Sequence, residues 1–197
     1  MFLKKRAYIF KAPVAPFIWL TFLATLYEGQ VLLFSKINLT YWSEIYSLAE
    51  FVSVFYFYFK LFQPRFKVIF RLIFIFLIIN YGISFYCLEE YSVFIAKAVN
   101  RIPLTFLVLL GSYWWVRDLF KNEEVQNLWQ NPTFYFMSAF YIYYLVTMPL
   151  FLMGSIIFTT NLYFYDFAII NVIATLILRT LLIIGVWKMN LRFFSGL

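Results

Sequence analysis

The sequence contains no histidine and only one cysteine, Cys87. It therefore has no imidazole to bind zinc, copper or haem iron, or to act as the base of a serine or cysteine nucleophile. Ser43, Glu44 and Glu50 make no hydrolase in the absence of such a base. A lone cysteine forms neither an intrachain disulfide nor a thiolate metal site, so Cys87 is predicted to be an apolar filler. We expect no cofactor, no metal and no enzymatic activity.

Glycine is also scarce, with six scattered residues, and no phosphate-binding glycine loop is present. Charged residues make up 13% of the chain, whereas hydrophobic residues make up 64% and aromatic residues 25%. Soluble domains are about half apolar and about one quarter charged. The composition predicts an integral membrane protein with the lipid bilayer as its main partner. The net charge of +7 is spread over several loops, which argues against a nucleic-acid partner.

Long apolar runs divide the chain into segments that match the thickness of a bilayer. A helix needs about 20 apolar residues to cross the hydrocarbon core. Such segments lie at about 16–35, 44–62, 67–88, 102–119, 133–158 and 164–187. We therefore predict an all-α polytopic membrane helix bundle of about six transmembrane helices, forming a single domain over residues 1–197.

The basic residues alternate between the two sides of this predicted bundle. Twelve of them lie at 4–11, 60–71, 117–121 and 188–192, all on the side of the two termini. Only Lys36, Lys97 and Arg101 are predicted on the opposite side. Lysine and arginine are enriched in cytoplasmic loops. Both termini are therefore predicted to be cytoplasmic.

Arg179 stands alone in the apolar run 167–187. A charge at bilayer depth costs on the order of 3 kcal/mol or more, so Arg179 must be paired or reach water. Glu28 lies at a similar predicted depth and is its expected partner, with Glu50 as a second acid that is protonated or hydrated. Removing one member of a buried pair costs about 3–5 kcal/mol, because the other charge is left behind.

Other polar residues share a helix face with these charges. Residues three or four apart lie on one face, and lipid excludes polar faces, so we expect them to point into the bundle. The predicted intramembrane polar core consists of Glu28, Glu50, Asn80, Asn171, Thr175 and Arg179. Two interpretations stay open: a structural clasp that fixes helix register, or a site for a small polar ligand, ion or proton.

Two further features concern motion and partners. Pro149 interrupts the fifth span and is a candidate hinge. The segment from Asp118 to Gln130 is the longest predicted cytoplasmic loop. It is predicted to lie on the membrane surface or to dock a partner, through Leu119, Phe120, Val125, Leu128 and Trp129.

Several short motifs resemble a family of small multi-pass proteins of Bacteroidetes bacteria that is largely without assigned function. They are Tyr27-Glu28, Asn38, the segment 45–51 (Ile-Tyr-Ser-Leu-Ala-Glu-Phe), Asn131-Pro132-Thr133-Phe134 with Tyr144, and Asn171. Members of that family tend to be associated with histidine-kinase signalling. The resemblance implies a multi-pass protein of the bacterial inner membrane with a sensory or accessory role.

These observations favour a non-enzymatic membrane protein that acts as a sensory or accessory subunit with a buried polar clasp. The first alternative is a small solute, ion or proton carrier that uses Glu28, Glu50 and Arg179. The second is a structural subunit of a larger membrane complex, with other membrane proteins as partners. The sequence identifies no small-molecule ligand.

Overall fold

The computed structural model describes residues 12–34, 39–62, 66–90, 93–121, 128–160 and 164–195, and their structure is helical. The six long helices are α1 Ala15–Phe34, α2 Leu39–Phe62, α3 Lys67–Glu90, α4 Val93–Lys121, α5 Pro132–Thr160 and α6 Phe164–Ser195. These described residues contain no strand, which confirms the all-α prediction. Each of the six predicted apolar segments coincides with one helix to within a few residues at most ends.

Five of the helices contain stretches that are long and apolar enough to cross a membrane. These stretches are Glu44–Phe62, Lys67–Cys87, Ile95–Lys121, Pro132–Gly154 and Asp166–Met189. A shorter apolar stretch, Ala15–Tyr27, lies in α1. Large apolar side chains such as Ile79 and Leu176 are more than half exposed on the outside of α3 and α6. A water-soluble surface rarely carries so many, so the helices indicate a membrane protein with several spans.

The start of α5 shows how local sequence sets a helix boundary. The Asn131 side-chain oxygen accepts a hydrogen bond from the Thr133 backbone N–H at 3.1 Å. Pro132 occupies the first helical position, where its missing N–H costs nothing. The helix thus begins one residue before the predicted apolar segment 133–158. Further along α5, Pro149 lies inside the continuous helix and is exposed, and its role as a hinge stays a prediction.

Helix α4 extends beyond its predicted segment at both ends. It begins at Val93 and includes Pro103, so Lys97 and Arg101 lie on the helix and not in a connection before it. At the other end, Leu119 and Phe120 still belong to α4, although the sequence placed them in a loop. Leu119 is buried, whereas Phe120 is exposed.

The remainder of the predicted partner loop is described only in part. Residues 128–130 form a 3₁₀ turn, in which Leu128 is half-buried and Trp129 is exposed. The Trp129 ring packs edge-on against Phe134, with 5.5 Å between ring centroids. Its carbonyl accepts a hydrogen bond from the Tyr135 hydroxyl at 3.0 Å. Val125 lies outside the described residues.

The chain forms two compact units, residues 1–100 and residues 101–197. In the first unit, aromatic rings hold α2 against α3. The Phe55 ring lies 5.8 Å from Phe70 and 5.1 Å from Phe74, and Phe51 lies 5.9 Å from Phe74. Each offset or edge-on aromatic pair adds about 0.5–1.5 kcal/mol beyond its buried area. Helix α1 joins α2 through the stacked rings of Tyr27 and Trp42, which are 4.0 Å apart.

In the second unit, α5 and α6 pack closely along their length. Buried residues of these helices include Ala139 and Phe140 on α5 and Ala174 and Leu178 on α6. At Gly185 on α6, an added Cβ atom would overlap the Phe136 ring of α5. Glycine is therefore required at this position for the two helices to approach so closely.

Candidate functional site

A buried carboxyl group lies in the first unit. Glu44, near the beginning of α2, is only 2% exposed. Its polar neighbours come from the end of α3 and the beginning of α4, so three helices contribute to one cluster. We call the residues Glu44, Tyr81, Ser84, Lys97 and Asn100 the Glu44 cluster.

Ser84 connects the members of this cluster. Its hydroxyl group is fully buried and donates to the Ala96 carbonyl at 2.9 Å. The same oxygen accepts a hydrogen bond from Asn100 Nδ2 at 2.7 Å and lies 3.4 Å from Glu44 Oε2. The Tyr81 hydroxyl donates to the Glu44 backbone carbonyl at 3.4 Å. Hydrogen bonds therefore join α2, α3 and α4 at this point.

The second carboxyl oxygen of Glu44, Oε1, differs from Oε2 in its hydrogen bonding. Oε1 is buried, and no hydrogen-bond partner reaches it from the part of the chain that the structure describes. The positive charge of Lys97 lies close enough to act on the carboxyl group through space. A buried polar atom without a partner costs free energy, and a charged one costs much more.

A buried guanidinium group lies in the second unit. Arg101 on α4 is 7% exposed, and its Nη2 donates to the Tyr143 hydroxyl at 2.9 Å. Three rings of α5 surround its Cζ atom, at 4.9 Å for Tyr143, 4.8 Å for Tyr144 and 5.1 Å for Phe151. A cation within about 6 Å of a ring centroid is attracted by the ring, most strongly where water is excluded. We call these four residues the Arg101 cage.

Two buried threonines next to the cage are satisfied by their own helices. Thr105 donates to the Arg101 carbonyl at 2.8 Å, and Thr147 donates to the Tyr143 carbonyl at 2.7 Å. Both side chains are at most 1% exposed. The hydroxyl hydrogens of these two residues are therefore used within α4 and α5.

The residues of the predicted polar core that belong to the first unit differ in burial and in their hydrogen bonds. Glu50 is 5% exposed, whereas Asn80 is half-buried and donates to the Phe76 carbonyl of its own helix at 2.9 Å. Ser84, on the same predicted face as Asn80, is the residue that meets Glu44. The side chain of Glu28 lies outside the described residues.

The predicted polar face of α6 lies at the border between buried and exposed surface. Asn171, Thr175 and Arg179 are all half-buried. The Thr175 hydroxyl donates to the Asn171 carbonyl at 2.8 Å, so it is satisfied within the helix. The predicted Glu28–Arg179 pair stays a prediction, since one of its side chains is not described.

Neither Glu44 nor Arg101 is among the site residues that the sequence predicts. Arg101 was counted among the basic residues of a connection, and Glu44 lay at the edge of an apolar segment. One available signal was the pattern Ala96, Asn100, Leu104 and Val108, whose spacing by four extends the helical period before residue 102. Extending the helix to include Ala96 places Arg101 on the helix and not in the connection before it.

The described residues contain no group of three or more cysteine, aspartate or glutamate side chains arranged to hold a metal ion. No protein-family model, no curated protein and no solved structure matches the chain.

Proposed function

We propose that the chain is a non-enzymatic, multi-pass protein of the bacterial inner membrane that acts as a sensory or accessory subunit. In this proposal its buried polar groups clasp the helices together. The observation that supports it is the Arg101 cage. There, a permanent charge is covered by aromatic side chains and joined to a neighbouring helix.

The geometry of the cage favours a structural role over a ligand site. A site for a polar ligand needs polar groups that face water or a cavity. The guanidinium of Arg101 instead lies against three rings, and Tyr144 is fully buried. These contacts tie α4 to α5, which is the role expected of a clasp.

The proposed topology places both termini in the cytoplasm, as the distribution of lysine and arginine indicates. Helices α2 and α4 then begin at the external side, where α3 ends. The Glu44 cluster lies near the external surface in this arrangement. A polar group at that depth is well placed to respond to conditions outside the cell.

Exposed aromatic side chains at the end of α4 and just before α5 support the proposal of a partner protein. Phe120 and Trp129 are 68% and 71% exposed at the cytoplasmic side of this topology. Aromatic residues are enriched at protein interfaces as well as at the membrane surface. We propose that a second membrane protein contacts the chain there, which also accommodates the alternative of a structural subunit.

Two measurements test this proposal. First, Arg101→Gln is expected to lower the melting temperature and the folded yield in detergent, because it removes the charge from the cage. A wild-type melting temperature in this variant would contradict the clasp. Second, crosslinking at Phe120 and Trp129 in native membranes is expected to give one defined adduct with another membrane protein, lost in the double alanine variant.

A proton or ion carrier is the second candidate, and the unpartnered oxygen of Glu44 favours it. Purified protein in liposomes with an enclosed pH-sensitive dye distinguishes the two. A sensory or accessory subunit leaves an imposed pH gradient intact. A chain that purifies alone and dissipates the gradient, with activity lost in Glu44→Gln, would replace our proposal with the carrier.

A further inference from the structure

We infer that the exposed face of α6 around Arg179 is the docking site for a transmembrane helix of another membrane protein, and that this helix carries an aspartate or glutamate near its centre. The inference deepens the proposed accessory role and rests on it in taking the partner to be a membrane protein. We call the docking residues the Arg179 face. They are Val172, Leu176, Arg179 and Ile183.

The members of the Arg179 face follow one another along α6 at spacings of four, three and four residues. Residues at these spacings form one row on a helix, and such a row is the seam through which two helices pack side by side. Val172, Leu176 and Ile183 are each more than half exposed. The row therefore presents apolar side chains on both sides of a single charge, and the described part of the chain leaves those apolar members uncovered.

The Arg179 face is separate from the side of α6 that meets α5. Ala174 and Leu178 are buried, and Gly185 lies against the Phe136 ring of α5. At 3.6 residues per turn, Arg179 lies about 120° around the helix axis from Gly185. Helix α6 therefore has a side available for a second neighbour beside α5.

Arg179 lies deep in the stretch of α6 that is long and apolar enough to cross a membrane, Asp166–Met189. At about 1.5 Å per residue, it is about 15 Å from Met189 and about 20 Å from Asp166 along the axis. A side chain that extends toward either end shortens this distance but does not close it. Ionisable residues at such depth pair with other groups or line water-filled cavities. Because the neighbours of Arg179 in its row are apolar, a paired acid fits this site better than a cavity.

The second unit has no acid at that depth. Helix α5, which packs along α6, contains none. The acidic residues of the unit lie at or beyond the ends of its long helices, and they are Asp118, Glu123, Glu124 and Asp166. Among the residues that the structure describes, Arg179 takes part in no ion pair and no side-chain hydrogen bond. The opposite charge must therefore come from outside this unit.

The polar neighbours of Arg179 on α6 do not neutralise it. The Thr175 hydroxyl donates to the Asn171 carbonyl and the Thr180 hydroxyl donates to the Leu176 carbonyl, both at 2.8 Å. Neither threonine carries a negative charge. A guanidinium group presents its N–H donors in a planar fork that matches a carboxylate. An acid on a neighbouring helix is therefore the complementary group.

Charge distinguishes such a partner from the other possible occupants of the face. Two copies of the chain that met through it would bring two guanidinium groups together, and like charges repel. Lipid tails are as apolar as leucine and offer no acceptor. Glu28 is the acid that the sequence predicts within the chain, and its side chain lies outside the described residues. The experiment separates Glu28 from an acid of a partner.

The direct test uses the full chain in phosphatidylcholine liposomes together with a synthetic transmembrane helix of leucine and alanine that has one central glutamate. Energy transfer between a donor on the peptide and an acceptor on the chain measures association. We expect the glutamate peptide to bind roughly tenfold more tightly than a peptide with a central glutamine, because a charged hydrogen bond is gained. A third peptide, with its glutamate moved about 10 Å toward one end, should lose most of this preference.

Variants of the chain assign the preference to one residue. Arg179→Gln should remove it, whereas Arg179→Lys keeps the charge and should retain part of it. Arg117→Gln is the matched control, because Arg117 is an exposed arginine near the end of α4, and its loss should leave the preference unchanged. The melting temperature of each variant shows whether it is folded. If Arg179→Gln does not fold, the three peptides with the wild type and Arg179→Lys decide the question.

Three results would overturn the inference. Equal binding of the glutamate and glutamine peptides, or a preference that persists in Arg179→Gln, would leave the face to lipid. A preference that appears only in Glu28→Gln would assign Arg179 to Glu28. Energy transfer between copies of the wild-type chain that disappears in Arg179→Gln would assign the face to a second copy. None of these measurements involves Phe120, Trp129 or the Arg101 cage, so the inference and the proposed function can fail separately.

Discussion

Replacement of Tyr143 by phenylalanine isolates one contact of the Arg101 cage. The change removes the hydroxyl that accepts from Arg101 Nη2 at 2.9 Å and keeps the ring, whose centroid lies 4.9 Å from Cζ. The cation–ring attraction is therefore preserved. The change removes the hydrogen bond between α4 and α5.

The expected cost follows from the charge and the burial of the donor. A hydrogen bond to a charged group contributes about 1.5–3 kcal/mol. Both partners are at most 7% exposed, so solvent screens the interaction little. Neutral hydrogen bonds between membrane helices contribute only about 0.6 kcal/mol on average. We expect a loss of about 1.5–3 kcal/mol, which lowers the melting temperature by roughly 3–12 °C for a chain of this size.

The assay is thermal unfolding in detergent, followed by circular dichroism and by the intrinsic fluorescence of tryptophan. Tyr141→Phe is the matched control, because Tyr141 lies on the same helix with an exposed ring. If both variants melt within about 1–2 °C of each other, the contact is worth no more than a neutral one. The charged, water-excluded cage would then be the wrong description.

The other predictions concern the helix contact of the second unit and its two arginines. Gly185→Ala should cost about 1–3 kcal/mol through overlap with the buried Phe136 ring. Gly82→Ala, at an open position, should be neutral or stabilising by up to about 1 kcal/mol; chemical denaturation of both variants checks the opposite signs. Arg101→Gln should lower the melting temperature more than Arg179→Gln, because Arg101 is buried and Arg179 is half-buried; an equal or larger effect at Arg179 would contradict this order.

Arg179 and Arg101 show that the packing around a side chain, and not the apolar character of the neighbouring sequence, determines how enclosed its charge is. Arg179 lies in the most apolar stretch of the chain, yet its helix face borders exposed surface. A long side chain at such a border can extend toward water or headgroups. Arg101 lies near a helix end in the sequence, but α5 covers it with three rings. Its charge is the more enclosed of the two.

The sequence by itself determined the helical class and the positions of the helices. Runs of about 20 apolar residues have few alternatives to a helix, because backbone groups in lipid must be satisfied within the segment. The beginning of α5 could also be identified from the sequence, because Asn131 and Pro132 act directly on the helix that follows them. Boundaries were less certain where polar residues continued a helix beyond its apolar part, as they do in α4 before Arg101.

Only the tertiary structure decided which polar groups meet. Spacing by three or four assigns residues to a face, but it does not say which face of another helix lies opposite. Ser84 and Asn80 lie four residues apart on α3, yet Ser84 lies 3.4 Å from Glu44 Oε2 whereas Asn80 donates to a carbonyl of its own helix. The rings around Arg101 come from a helix that begins more than thirty residues later. A contact of that kind depends on how the helices pack, and no local pattern encodes it.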